Sequence, residues 1–259
     1  MSQNDLDNSL GKPLFAAKLG DIGQLLDRCF LPLGLQQVAG VGTRQYSGEV
    51  NGRTINITIS ARTRTQYLIG SIRYRKFTGL WLDMSVSTPL MSRLMLGQPS
   101  GWGRKVTEWM QRLYGNKPVT NLASTYEQFT VFAHEPAWAE RFLADTAVQT
   151  HLSTLMQNPD LPPGAAVFLS PGSWKWTTPA QPSSFTPEAV QTWLAQLTTI
   201  AKRSEQNPPG TAVQPSWLER QNATVRAFIL AAAFLLGIPF LMFMCCVLPA
   251  LTLILINAR

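Results

Sequence analysis

The sequence RQYSGEVNGRTINITIS, residues 44–60, predicts a β-hairpin and with it a fold built on a sheet. The Asn-Gly pair at residues 51–52 is the strongest two-residue turn signal, because both central positions of this turn need a positive φ. After the turn every second residue is isoleucine, as in a strand with one buried face; these residues are Ile55, Ile57 and Ile59. The turn sets the register and places Tyr46 opposite Ile57, so we expect both side chains on the core face.

The chain beyond this hairpin predicts further strands of the same sheet. Residues 67–77 and 80–87 are two expected strands joined by a tight turn at Thr78-Gly79, and residues 90–96 are a third. From Leu80 to Val86 every second residue is aliphatic or methionine, which is the pattern of a half-buried antiparallel strand. Strands that follow one another in this way predict an antiparallel meander.

Apolar residues recur at helical spacing in four segments. The expected helices are residues 14–30, residues 104–114, residues 136–156 and a last helix that begins at Thr186-Pro187. The apolar stripe of the second helix comprises Val106, Trp109, Met110 and Leu113, and that of the last comprises Val190, Trp193, Leu194, Leu197 and Ile200. A strand at 128–133 and a hairpin at 165–177 separate these helices. The fold class expected is therefore α+β, an antiparallel sheet meander with packing helices.

Two of these helices share a sequence pattern. VTEWMQRL at residues 106–113 and VQTWLAQL at residues 190–197 have Val, Trp and Leu in register when Val106 is aligned with Val190. One interpretation is a duplication that gives two similar halves, residues 14–115 and 120–203. The other is chance, because amphipathic helices in general share such stripes.

The C-terminal sequence AFILAAAFLLGIPFLMFMCCVLPALTLILI, residues 227–256, predicts a membrane span. It contains no charged residue along its whole length, and it is longer than the run of about 20 apolar residues that already crosses a bilayer core. The expected domains are therefore an α+β domain over residues 1–203, a Pro-rich linker over 204–216, and a juxtamembrane segment with one transmembrane helix over 217–259. This layout is that of a tail-anchored, single-pass protein.

The residues around the predicted span indicate its orientation and its contacts. Lys202, Arg203, Arg220 and Arg226 precede it and Arg259 follows it, so the large domain is expected in the cytoplasm and the C-terminus on the opposite side. Residues 1–10 are polar and acidic, and no secretory signal is expected. Trp217, Arg220 and Arg226 are candidate interfacial anchors. Small side chains recur every fourth residue and predict a helix-packing face; they are Ala223, Ala227 and Ala231.

The net charge of +7 is concentrated in one part of the chain. Residues 53–117 contain 11 Lys or Arg and only two acids, Asp83 and Glu108. The positions predicted to dock an anionic lipid or a partner are Arg62, Arg64, Arg73, Arg75, Lys76, Arg104 and Lys105. The alternative is a solvated sheet face with no partner.

The remaining chemistry of the sequence is sparse. His134 and His151 have no carboxylate or cysteine beside them at metal-ligand spacing, and Cys29 is the one cysteine before the predicted span. The glycines at 40–42 and 97–103 do not have the spacing of nucleotide-binding loops, and no Gly-x-Ser-x-Gly motif occurs. We expect no catalytic residues, no metal and no cofactor.

These features favour interaction over catalysis. The sequence predicts a non-catalytic, tail-anchored accessory or scaffold subunit of a larger membrane complex, an energy-transducing complex being one candidate. Its expected partners are integral membrane subunits, with anionic lipid headgroups as a further candidate, and no nucleic acid is expected. The alternative is a membrane-tethered module that binds a ligand or lipid, or senses one, in an apolar pocket between sheet and helices.

Overall fold

A computed structural model describes residues 22–40, 42–68, 72–98 and 102–215 of the chain. Its helices are α1 (Gly23–Phe30), α2 (Trp102–Leu113), α3 (Pro136–Ala144), α4 (Thr146–Met156) and α5 (Pro187–Gln206). Its strands are β1 (Gln36–Val38), β2 (Thr43–Val50), β3 (Arg53–Leu68), β4 (Ile72–Ser87), β5 (Leu94–Gly97), β6 (Lys117–Pro118), β7 (Thr130–Ala133), β8 (Ala166–Ser170) and β9 (Ser173–Ala180). The expected α+β class, with a large antiparallel sheet and packing helices, is confirmed.

The predicted hairpin is present with the predicted register. Val50 pairs with Arg53 and Tyr46 pairs with Ile57 across β2 and β3. Asn51 and Gly52 both have positive φ, 53° and 72°, as the two-residue turn requires. Tyr46 and the three isoleucines are buried, so this hairpin presents one continuous apolar face to the helices.

Strands β1 to β4 follow one another as a meander, but β5 does not continue it. Their order is β1-β2-β3-β4-β9-β8-β5-β7-β6, so β8 and β9 lie between β4 and β5. The chain leaves β4 across the tip of the β8–β9 hairpin, where the amide of Thr88 donates to the carbonyl of Gly172 and the amide of Gly172 donates to that of Leu90. This crossing carries the next strand to the far side of the hairpin, and β5 therefore pairs with β8 and β7.

The predicted turn at Thr78-Gly79 is also wrong. β4 runs without interruption from Ile72 to Ser87, and the register with β3 shifts by one residue between Arg62 and Thr63. Gly79 has φ +131° and lies at this irregularity. A glycine that the sequence marks as a turn is here the residue that admits a β-bulge.

The helices that form the core pack on one face of the sheet. Phe30 of α1 lies 4.7 Å from the Tyr46 ring of β2, measured between ring centroids. On β9, Trp174 contacts Phe142 of α3 and Trp176 contacts Trp193 of α5. Since these strand residues lie on the same face of the sheet as the buried isoleucines, the structure is a two-layer arrangement with an aromatic core.

The helix predicted over residues 136–156 is divided into two helices, α3 and α4. Asp145 separates α3 from α4, and its carboxylate accepts hydrogen bonds from the amides of Ala147 and Val148. This N-cap ends the single helix predicted over residues 136–156. By contrast, Thr186 caps α5 as expected, with Pro187 at its first turn.

The C-terminal part of the described chain stays attached to the domain. The helix α5 ends at Gln206, inside the predicted linker, and the chain through Gln214 belongs to one compact unit. Within the described ranges, no helix is both long enough and apolar enough to cross a membrane. The predicted span at residues 227–256 lies outside those ranges, as does the start of the first predicted helix, residues 14–21.

Candidate docking surfaces

The outer parts of β3 and β4 form a two-stranded arm. Strand β2 accompanies β3 only as far as Ser60, and β9 accompanies β4 only from Leu80 onward. Residues 61–68 and 72–79 therefore pair with each other and with no other described strand. We call these two segments the ribbon arm. Because a β-strand extends by about 3.3 Å per residue, each of these segments is about 27 Å long.

The ribbon arm carries five of the seven predicted docking residues. Its sequence, ARTRTQYLIGSIRYRKFTG over residues 61–79, contains no Asp or Glu. The basic positions are Arg62, Arg64, Arg73, Arg75 and Lys76. In the register, Arg64 stands directly opposite Lys76, and like charges at directly opposed positions destabilise a strand pair. The arm therefore combines a pairing of two strands with a basic sequence that contains no acidic residue.

The other two predicted docking residues belong to a different element. Arg104 and Lys105 lie in the first turn of α2, which follows β5, and the Lys105 side chain is exposed. In the sheet β8 and β9 separate β5 from β4. The seven predicted docking residues therefore belong to two elements, the ribbon arm and α2. The predicted anchor and packing residues lie outside the described ranges; they are Trp217, Arg220, Ala223, Arg226, Ala227 and Ala231.

Three residues of the apolar stripe of α2 are exposed to solvent. Trp109 is 62% exposed, Met110 42% and Leu113 66%. The helix itself ends as the sequence predicts, with Gly115 at φ +73° and the amide of Asn116 donating to the carbonyl of Gln111. The sequence pattern predicts this stripe, but the same pattern occurs in buried and in exposed helices and does not predict its exposure.

The described chain ends beside the C-terminus of α2. The buried Arg93 donates from Nη1 to the carbonyl of Tyr114 and from Nη2 to the carbonyl of Gln214, at 3.4 and 3.5 Å. The amide of Val213 donates to the carbonyl of Met91, whose side chain is 38% exposed. Through Arg93, these contacts link residues 213–214 to Tyr114, the residue that follows the C-terminal end of α2.

An ion pair holds the C-terminal end of α5. The guanidinium of Arg53 makes two hydrogen bonds of 2.7 Å to the Glu205 carboxylate, which also accepts a 2.7 Å bond from the Thr88 hydroxyl. These bonds, led by those from Arg53, lower the pKa of Glu205 below its usual value. The contact fastens the helix to the β2–β3 turn, and we assign it to stability.

A comparable contact fastens α1 to β2. Arg44 Nη2 lies 2.6 Å from the Asp27 carboxylate, and the Tyr46 hydroxyl donates to the same carboxylate at 2.8 Å. The hydrogen bond from Arg44 lowers the pKa of Asp27, while burial and the neighbouring carboxylate raise the pKa of Tyr46. All three groups are satisfied within the fold, so this cluster also has a structural role.

The described residues also form a surface cleft, and they include both histidines. A surface cleft of about 380 Å³ lies between the ends of α3 and α5, with Arg141 and Arg203 among its lining residues. Asp145 also lines it but is already engaged as the cap of α4. Among the described residues, no group of three His, Cys, Asp or Glu side chains could hold a metal ion. The two histidines lie apart, His151 within α4 and His134 before α3.

Comparison with known proteins adds a distant similarity of fold. No family model and no curated protein matches the chain. Among solved structures, the chain is similar to the crystal structure of the mycobacterial trehalose monomycolate transport factor A, TtfA, with a TM-score of 0.47 and 10% sequence identity. The match covers 73% of this chain and 98% of that chain. A similarity at this level does not indicate a function.

Proposed function

We propose that this chain is a non-catalytic accessory or scaffold subunit of a membrane complex. In this proposal a C-terminal span holds the domain on the cytoplasmic side of the membrane, and the ribbon arm docks an acidic surface of a neighbouring subunit. The observation that carries the proposal is the ribbon arm itself. It has five basic residues, no acidic residue and no third strand in the described sheet.

The stability of the ribbon arm supports a docking role. A two-stranded ribbon without further strands or a helix against it is marginally stable in water. The like charges of Arg64 and Lys76, which are directly opposed in the register, weaken it further. An acidic partner relieves that repulsion and adds contacts to the unpaired strand edges, so binding and ordering of the arm favour each other.

The aromatic core favours this proposal over the alternative of a ligand-binding module. The space between sheet and helices in the described domain is occupied by large buried side chains, and these include Trp138, Trp174, Trp176, Trp193 and Phe185. The cleft beside Arg141 lies at the surface, at the ends of α3 and α5, and not between the layers. An apolar ligand would therefore have to displace core side chains to enter the position that the alternative requires.

The proposal is tested by purifying the full chain in mild detergent together with its bound proteins. Arg62, Arg64, Arg73 and Arg75 are changed together to Gln. A matched control removes four exposed cations elsewhere in the domain; it changes Arg28, Arg141, Lys202 and Arg203 to Gln. We expect the arm variant to lose the bound partner and the control to retain it, because only the arm variant removes the docking charge.

Salt provides a second, independent measurement. Raising the ionic strength shortens the Debye length from about 10 Å at 0.1 M to about 3 Å at 1 M. The partner should therefore elute from the wild-type chain as salt is raised, with no variant needed. Retention of the same partner by the arm variant, or its persistence on the wild type at high salt, contradicts docking through the arm.

A further inference from the structure

The helix α2 has a hydrophobic face that the described fold does not use. Trp109, Met110 and Leu113 occupy one face of this 12-residue helix at helical spacing, and all three are exposed. A single exposed apolar residue is ordinary on a protein surface. Three large apolar side chains together, one of them tryptophan, are typical of a surface that a membrane or another protein covers.

The helix α5 provides an internal comparison. It carries the same sequence pattern, in which Trp193 corresponds to Trp109 and Leu197 to Leu113. In α5 both of these residues are buried, at 2% and 0% exposure, against the sheet and its aromatic neighbours. One amphipathic pattern is therefore used by the core, and its counterpart in α2 is left facing outward.

The polar residues of α2 suit an anionic surface. The helix has Arg104, Lys105 and Arg112 as cations and Glu108 as its one acid, and Lys117 follows shortly after it. The side chains of Lys105, Arg112 and Lys117 are exposed. A short helix with a tryptophan-containing apolar face and excess positive charge has the composition of one that lies in the interfacial layer of a bilayer.

The position of α2 points to the same environment. Arg93 donates hydrogen bonds to two carbonyls, that of Tyr114, which follows the C-terminal end of α2, and that of Gln214. Only the short segment 216–226 separates Pro215 from the predicted span at residues 227–256. Even fully extended, this segment covers at most about 40 Å. The chain length therefore limits the distance between Pro215 and the start of the proposed span to about 40 Å.

We propose that the face formed by Trp109, Met110 and Leu113 inserts into the interfacial layer of an anionic bilayer. This inference rests on the proposed membrane tether. With it, the domain contacts the membrane at two points, the span and α2, and the second contact fixes how the domain is turned relative to the surface. The cations of α2 and Lys117 lie against anionic headgroups, and the apolar face reaches the start of the acyl chains.

The test uses the full chain with a spin label attached to one cysteine. Cys245 and Cys246 are changed to Ala, and Cys29 is left in place because it is 1% exposed. Leu113→Cys carries the label on the α2 face, and Gln191→Cys carries it on the exposed side of α5 as the control. Each protein is reconstituted into vesicles of phosphatidylcholine with a minor share of phosphatidylserine and, separately, of phosphatidylcholine alone.

Two collision rates of the spin label are measured. One is with oxygen, which concentrates in lipid, and the other is with a water-soluble nickel chelate. We expect a several-fold lower nickel collision rate at position 113 than at position 191, with a higher oxygen collision rate, and a stronger effect when phosphatidylserine is present. Adding Trp109→Glu to the Leu113→Cys protein should restore the nickel collisions, because a carboxylate opposes both insertion and the anionic surface.

Three other results of the spin-label experiment would overturn the inference, and each has a different structural meaning. Equal nickel collision rates at the two positions, with the protein retained in the vesicles after an alkaline wash, show that the tether exists and that α2 remains in water. Protection from both oxygen and nickel shows that protein covers the face, either the chain beyond Pro215 or a second copy. Loss of the protein from the vesicles in the alkaline wash removes the tether itself, and with it the proposed function.

Discussion

The contrast between Trp109 and Trp193 gives a direct prediction for stability. Trp193 is 2% exposed, with its ring centroid 5.5 Å from that of Trp176 and 6.0 Å from that of Phe185. Removing a buried aromatic side chain in this way costs about 3–5 kcal/mol in the free energy of unfolding. Trp109 is 62% exposed, and substitutions at such positions usually change that free energy by less than about 1 kcal/mol. We therefore expect Trp193→Ala to destabilise the domain by at least about 2 kcal/mol more than Trp109→Ala.

The assay is denaturant unfolding of the full chain in one mild detergent, followed by near-ultraviolet circular dichroism. Leu197→Ala and Leu113→Ala form a second matched pair, with 0% and 66% exposure of the native side chain. For leucine the buried substitution is expected to cost about 2–5 kcal/mol. Similar losses for the two members of a pair would refute the reasoning, because they would mean that the stripe of α2 is packed in the folded protein as the stripe of α5 is.

Three further outcomes are expected. Gly79→Ala should destabilise the domain by about 1–3 kcal/mol in the same unfolding assay, because Gly79 has φ +131° and an added Cβ would lie 2.8 Å from the Ala180 carbonyl oxygen. Glu205→Gln should lower the free energy of unfolding by about 1–2 kcal/mol at neutral pH. Arg53 holds the pKa of Glu205 below its usual value of about 4.3, so the stability that the Glu205 carboxylate contributes is present above that pH and is lost as the pH falls through the lowered pKa. The variant should therefore lose less stability than the wild type between neutral pH and about pH 3. Replacing small residues of the predicted span by Leu should release a co-purifying partner without preventing membrane insertion, as judged by alkaline extraction; the residues are Ala227 and Ala231.

The elements that the sequence predicts correctly are those decided by neighbouring residues. The Asn51-Gly52 turn fixes the pairing of β2 with β3 because only two residues separate the strands, and the register of Tyr46 with Ile57 follows from counting. The same holds for the β8–β9 hairpin around Gly172 and for the start of α5 at Thr186. In each case the deciding chemistry lies within a few residues of the element.

The errors concern contacts between distant parts of the chain. Whether β5 pairs with β4 or with β8 depends on the route taken after Thr88, and that route is fixed by hydrogen bonds to Gly172, which is remote from Thr88 in the sequence. The turn predicted at Gly79 is wrong for a related reason. A glycine marks a turn and a β-bulge equally well, and only the partner strand decides which of them forms.

The two candidate surfaces differ in the physical force that each would use, and this difference separates their tests. The ribbon arm attracts a partner through charge, so its binding should weaken steeply with ionic strength. The face of α2 gains most of its free energy from burying Trp109 and Leu113, and salt acts only on its flanking cations. A partner that leaves at high salt while the label at position 113 stays protected from nickel would therefore assign protein docking to the arm and membrane contact to α2. Loss of both together would instead mean that one electrostatic contact, made by either element, holds the domain in place.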